Sequence, residues 1–440
     1  MNASPLQNIL RKLSAFGLDS LDIFNARGRD SSAAYMARLC STLLQLKGEA
    51  SSIAIAQEII SSYQGFSDEE KQQFFQFLHD DLSADDNAVN KAIHVYQQSK
   101  SQQDLQGLHR ATESPRKELF RALNTAPGGT HALIAMREDL LGLLAAQPHL
   151  KIIDFDLLQL FKAWFNRGFL QLRHIDWQTP AQVLEKLIEY ESVHEIQGWP
   201  DLRRRLEDDR RCFAFFHPVI PDVPLIFVEV ALTGQISTNI EDLLRQPPSD
   251  KPQKPKTAIF YSINNCLLGL RGVSFGNFLI KQVIEDVAIQ MPSIKVYATL
   301  SPVPGFLTWL RANLADLPRL TVETRSLLQR LLDAVQAQAI LAEAPKLQEL
   351  LIRLCAHYLV RAKSRDKPAD PVARFHLGNG ASLANINWLA DVSDNGMRQS
   401  AGIMVNYLYT PADLTRNHEA YEQSNKVVCS STINKLLSDK

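Results

Sequence analysis

The stretch that decides the fold runs from Thr257 to Ser301. It reads TAIFYSI (257–263), NNCLLGLRGVSFGN (264–277), a helical run from Phe278 to Gln290, and KVYATLS (295–301). Aromatic and β-branched residues fill the first and last segments, as strands require. Between them Gly269, Gly272 and Gly276 crowd together in a chain with only 19 glycines in 440 residues. Small residues let a backbone approach a ligand closely, and the following helix start offers unpaired N–H groups and a positive dipole end. Such a loop suits an anion such as a pyrophosphate, with Arg271 adding a charged contact. The spacing is not GxGxxG and no Lys-Ser/Thr follows, so neither the dinucleotide fingerprint nor a P-loop applies. On the residues alone, an ordinary tight strand-to-helix turn is an equal alternative.

Outward from this unit, further strand-like runs are CFAFFH (212–217), PLIFVEVAL (224–232) and GIMVNYLY (402–409). Pro221-Asp222 supplies a turn that makes the first two a hairpin candidate. Residues 246–256 form a proline- and lysine-rich surface loop, and 311–366 return to helix as an insertion. The residues before about 173 read as helices. Tyr35, Met36, Leu39, Leu43 and Leu46 make one apolar stripe, and Ser67 with Glu70 forms a capping box ahead of Phe74, Phe75, Phe77 and Leu78. The expected organisation is a helical bundle over 1–173, used for packing or oligomerisation, and an α+β domain over 174–440. Arg203–Arg205, Arg210 and Arg211 are interleaved with Asp208 and Asp209, which reads as a self-neutralised helix surface.

Lys+Arg total 47 and Asp+Glu 48, a formal net charge of −1, so no bulk cationic surface draws in nucleic acid or membrane. The five cysteines are dispersed, without a CxxC pair, which indicates neither a disulfide framework nor a zinc knuckle. No run is long and apolar enough for a membrane span. The N-terminal stretch lacks a secretory h-region and the last residues lack a peroxisomal SKL tripeptide, so a cytoplasmic setting is expected.

The unit 257–301 resembles the β–loop–α–β core of the GNAT acyl-CoA-binding fold. More specifically, GLRGVSFGNFLIKQVIEDV (269–287), ATLSPVPGFLTWL (298–310) and DPVARFHLGNGASLANINWLADVS (370–393) resemble the malonyl-CoA decarboxylase family. The resemblance implies an N-terminal helical domain ahead of a GNAT-like catalytic domain. It also implies conversion of malonyl-CoA to acetyl-CoA and CO2 without a metal or other cofactor, coenzyme A being part of the substrate. It places a catalytic serine at Ser301 and a catalytic histidine at His376. The coenzyme-binding loop falls at Arg271, Gly272, Val273, Ser274, Phe275, Gly276 and Asn277. Some members carry an acidic residue where this chain has Ser274, so no acid–base role is carried to that position. Tyr409 and Asn387, in matching segments, are candidates for supporting the site, with core packing as the alternative.

The chemistry asks for few groups. Losing CO2 leaves charge on the thioester oxygen, so the protein must orient the carboxylate, donate hydrogen bonds to the oxyanion and protonate the α-carbon. His376 and Ser301 are therefore expected to form a proton-delivering pair rather than an acylating one. Two other readings stand beside this one: an acetyl-CoA-dependent N-acyltransferase, and a non-enzymatic scaffold that binds malonyl-CoA. A large leucine-rich helical domain makes a homo-oligomer, dimer or tetramer, the expected assembly.

Overall fold

The structure is a computed structural model that describes residues 31–46, 48–247, 254–273, 278–317, 321–333, 345–364 and 366–438. Ser274, Phe275, Gly276 and Asn277 of the glycine-rich loop lie outside the described residues, as do parts of the proline-rich loop and of the helical insertion. The chain divides into two compact units, Met1–Asn166 with Leu267–Ser274, and Arg167–Cys266 with Phe275–Lys440. The first boundary falls ahead of residue 173, and the segment from Leu267 joins the helical unit rather than the sheet that flanks it in sequence.

The helical unit comprises α1 (Ser32–Gln45), α2 (Glu49–Gln64), α3 (Asp68–Asp80), α4 (Asp86–Ser99), α5 (Gln102–Thr112), α6 (Pro115–Asn124), α7 (Gly129–Leu143) and α8 (Lys151–Trp164). Helix α1 buries Tyr35, Met36, Leu39, Cys40 and Leu43, the stripe its spacing predicts. Helix α3 opens with the capping box, in which Glu70 Oε2 accepts from the Ser67 N–H at 2.9 Å and Ser67 Oγ from the Glu70 N–H at 3.3 Å. A short 3-10 turn at Leu268–Leu270 packs on α7. There a Cβ on Gly269 would overlap the Ile134 carbonyl oxygen, so only glycine fits.

The second unit contains β1 (Gln171–Ile175), α9 (Ala181–Tyr190), α10 (Trp199–Arg205), β2 (Arg210–Phe216), β3 (Ile226–Thr233), α11 (Ile240–Arg245), β4 (Thr257–Asn265), α12 (Phe278–Gln290), β5 (Val296–Thr299) and β6 (Ser301–Pro302). After these come α13 (Phe306–Asn313), α14 (Val322–Asp333), α15 (Pro345–Val360), the two-residue strands β7 (Lys363–Ser364) and β8 (Lys367–Pro368), α16 (Pro371–Gly378), β9 (Ser382–Asn387), α17 (Asp394–Ser400), β10 (Met404–Tyr409), α18 (Leu414–Ser424) and α19 (Ser431–Ser438). The main sheet runs β1-β2-β3-β4-β5-β10-β6, with β9 also on β10. Neighbours are antiparallel except β4 and β5, which the intervening α12 makes parallel. The class is α+β: a helical segment followed by a mixed sheet. The helical insertion starts at Phe306, a little before its expected position.

The arginine-rich segment is not all surface. Arg204 meets Asp209 at 2.7 Å and Glu207 at 3.0 Å, as expected of a self-neutralised face. Arg205, however, is buried, with Nη1 2.9 Å from Glu229 Oε2 and Nη2 donating to the His194 carbonyl at 2.7 Å. Burial pushes the Glu229 carboxyl up to about 7, against the opposing pull of Arg205. Charge counting along the sequence misses this, because Glu229 arrives from β3. Among the described residues no helix is long and apolar enough to cross a membrane.

Candidate active site

Strand β5 ends at Thr299, and the chain re-enters the sheet at Ser301, paired with Val405 of β10. Pro302 and Pro304 restrict the backbone just beyond. His376 arrives on α16, whose N-cap is Asp370: its Oδ1 accepts from the Ala373 N–H at 2.9 Å, with Pro371 at the first helical position. Tyr409 closes β10. Sequence separations of 75 and 33 residues are thereby reduced to hydrogen bonds. Ser301 Oγ lies 3.1 Å from His376 Nε2, and His376 Nδ1 lies 2.7 Å from the Tyr409 hydroxyl.

The hydrogens on this line can be placed. Ser301 Oγ donates to Thr299 Oγ1 at 2.8 Å, so it must accept from His376. A neutral imidazole has one N–H, which then sits on Nε2 and leaves Nδ1 to accept from Tyr409. Charge states agree with this order. Burial alone pushes the His376 pKa down to about 3, so the ring is neutral at physiological pH. Burial also raises Tyr409 well above its ordinary value and keeps the phenol protonated. The Tyr407 ring stacks on the imidazole, centroids 4.6 Å apart at 23°, and fixes its plane.

Ser301 and His376 line a cavity of about 240 Å³ whose walls are mostly apolar, among them Val193, Phe260, Val372 and Phe375. Among the described residues no lysine or arginine lines it. A larger cavity of about 720 Å³ is lined by charges of both signs, including Asp201, Arg205 and Asp391, but not by Ser301 or His376. The smaller one is where this chemistry lies.

Of the other candidates, Asn387 touches neither Ser301 nor His376. It donates to Asn406 Oδ1 at 2.8 Å, and Asn406 in turn donates to the Thr299 carbonyl at 2.7 Å, so Asn387 acts at a remove. In the glycine-rich loop Arg271 is exposed, Gly272 has φ +84° and Val273 is buried.

Three supporting residues were not anticipated. Thr299 Oγ1 accepts from both Ser301 and the Tyr407 N–H, the latter at 3.1 Å. Asp370 is fully buried and accepts at Oδ2 from the Tyr358 hydroxyl of α15 at 3.3 Å. A Cβ on Gly305 would overlap that same hydroxyl, so α15, α16 and the turn after Ser301 meet at one point. An Asp-Pro pair opening a helix is a legible N-cap signal and could have flagged Asp370. Asp370→Ala removes the cap and strands Tyr358, so His376 shifts. A loss in kcat/KM of about tenfold to a hundredfold is expected, consistent with the cost of a displacement near 1 Å. Steady-state kinetics beside thermal denaturation checks it.

A hydroxyl, an imidazole and a phenol thus lie in one hydrogen-bonded line at a mostly apolar cavity, an arrangement of groups that enzymes use. Residues 168–440 match the model of the malonyl-CoA decarboxylase C-terminal domain, and residues 82–165 that of the malonyl-CoA decarboxylase N-terminal domain. The chain belongs to the malonyl-CoA decarboxylase family. It is 34% identical over 416 residues to the mitochondrial malonyl-CoA decarboxylase of Anser anser anser, covering 87% of this chain and 82% of that protein. Against the Rattus norvegicus mitochondrial enzyme it is 35% identical over 345 residues, 72% of this chain and 70% of the rat protein. The solved malonyl-CoA decarboxylase of Agrobacterium vitis superposes with a TM-score of 0.86 at 47% identity, over 92% of this chain and 100% of that one.

Proposed function

We propose that this protein decarboxylates malonyl-CoA to acetyl-CoA and CO2, with Ser301 and His376 as the proton-delivering pair. The observation that carries the reading is the direction of the Tyr409–His376–Ser301 line, in which every hydrogen points toward the serine. The bond between the carboxylate carbon and the α-carbon breaks, its electron pair enters the thioester carbonyl, and CO2 leaves. The thioester is its own electron sink, so the step needs neither metal nor organic cofactor. The Ser301 hydroxyl then turns from Thr299 to the substrate and gives its proton to the α-carbon, while the neutral His376 holds the serine oxygen left behind through its Nε2–H until a proton from solvent restores the hydroxyl. Thr299 keeps the Tyr407 N–H, so the turn leaves no orphaned acceptor. The reaction consumes one proton overall, drawn finally from solvent.

The cavity's composition favours the same chemistry. A malonyl carboxylate held among apolar walls, with no lysine or arginine among the described residues that line them, loses hydration that CO2 does not need. The loop Arg271–Asn277 is proposed to hold the coenzyme, with Tyr409 and Asn387 as supports rather than reacting groups. Incubating the metal-stripped protein with malonyl-CoA should yield acetyl-CoA and CO2 in equal amounts. Saturable binding without product would overturn the reading.

A further inference from the structure

Arg137 sits in α7 of the helical unit, a segment whose residues read as serving packing or oligomerisation. Its side chain is buried, 2% exposed. Nε donates to Asp154 Oδ1 at 2.7 Å, and the guanidinium lies 6.0 Å from the Phe161 ring centroid. Its Nη1 donates to two carbonyls of the glycine-rich loop, those of Gly269 at 2.6 Å and Arg271 at 2.8 Å. A buried guanidinium spent on main-chain oxygens fixes the orientation of the peptides that carry them.

The second of these peptides is the informative one. In a trans peptide the C=O and the next N–H point in opposite directions. With the Arg271 carbonyl turned to Arg137, the Gly272 N–H faces away from it. The neighbouring N–H groups of Leu270, Arg271 and Val273 are all satisfied within the turn, by Leu267, Leu268 and Leu270. That of Gly272 meets no acceptor among the described residues, and the exposed Arg271 guanidinium meets no acid there. The φ of +84° at Gly272 is one that L side chains rarely adopt. One N–H and one guanidinium are thus presented together, held from behind by Arg137.

We infer that Arg137 is a positioning residue for phosphate recognition, orienting the Gly272 N–H toward the phosphates of the coenzyme. The inference rests on the coenzyme-loop reading above. It predicts selectivity for the part of the substrate that carries phosphate. In Arg137→Lys and Arg137→Gln, the KM for malonyl-CoA should rise about tenfold or more, the range of a lost charge-assisted bond, with kcat little changed. Malonyl-pantetheine, which lacks the nucleotide and every phosphate, should be turned over by the variants as by the parent. Asp154→Asn, which removes the charge from the acceptor of Nε but leaves both carbonyl contacts, should show a smaller rise of the same kind. A folded variant with unchanged KM for malonyl-CoA overturns the inference, and so do equal losses on both substrates. Calorimetric titration with coenzyme A separates the two readings. If the parent binds coenzyme A without decarboxylating, the proposed activity falls, while a drop in affinity in Arg137→Lys still supports the role of Arg137.

Discussion

Ser301→Ala is expected to lower kcat about a hundred- to a thousandfold, the usual consequence of removing one donor aimed at developing charge. His376→Asn should lose at least as much, because the ring alone connects the phenol to the serine. The two should not add. Ser301 supplies the proton and the His376 Nε2–H steadies the oxygen it leaves, so without either one the other has no partner, and the double variant should be no slower than the slower single variant. KM should move little, since neither residue belongs to the loop proposed to hold the coenzyme. Acetyl-CoA formation under saturating malonyl-CoA reads all three. Turnover like the parent's in either single variant removes that residue from the mechanism.

The same line of hydrogens separates this pair from a hydrolytic serine–histidine pair. In the hydrolytic triad the histidine Nδ1 donates to a carboxylate, leaving Nε2 bare to take the serine proton. Here the Ser301 hydroxyl donates to Thr299 and Nδ1 accepts from a phenol, so Nε2 carries the hydrogen and cannot deprotonate Ser301. The carboxylate nearest in role, Asp370, caps the helix instead of touching the ring. No acyl-serine adduct should therefore accumulate, and intact-mass measurement during turnover should find the unmodified chain.

How much of this was legible in the sequence depends on the range of the interaction. The capping box of α3 rests on neighbours three residues apart and the β2–β3 hairpin on two strands consecutive in the chain, and both read directly. Strand β1, QLRHI, did not, because only Ile175 is buried and the pattern carries little apolar signal. Ser301 and His376 were legible through their motifs, although neither residue type announces catalysis alone. What the motifs could not convey is the tautomer, which depends on Thr299 two residues from Ser301 and on Tyr409 at the end of another strand. The interior fate of Arg205 and the grip of Arg137 on the loop were hidden for the same reason. Each is a charge whose partner lies far along the chain, and a sequence read locally assigns such a residue to the surface.

The second large effect is expected at Tyr409. Its hydroxyl is the donor that holds the Nδ1 lone pair, and it does not line the cavity, so it acts by positioning the ring. In Tyr409→Phe nothing rewards the tautomer with hydrogen on Nε2. The ring is then free to put its hydrogen on Nδ1 and accept from Ser301, which reverses the line and draws the serine hydroxyl away from Thr299. A drop in kcat of about a thousandfold is expected, between the loss of one donor and the larger cost of a wrong tautomer. Nitrogen-15 resonances of labelled histidine should move the protonated site from Nε2 toward Nδ1, a change that mere loosening of the strand would not produce. The pH profile gives a second check. With its pKa pushed down to about 3 by burial, His376 does not titrate between pH 5 and 8, so the parent's kcat/KM should show no histidine limb there. Acid acts on the fold instead. An unfolded histidine binds its proton near pH 6.5 and the buried one only near 3, so the unfolded state holds more protons in that window. The contribution of His376 to stability is complete above about pH 6.5 and is lost as pH falls toward 3. His376→Asn should flatten that part of the stability curve in urea titrations run across the same range.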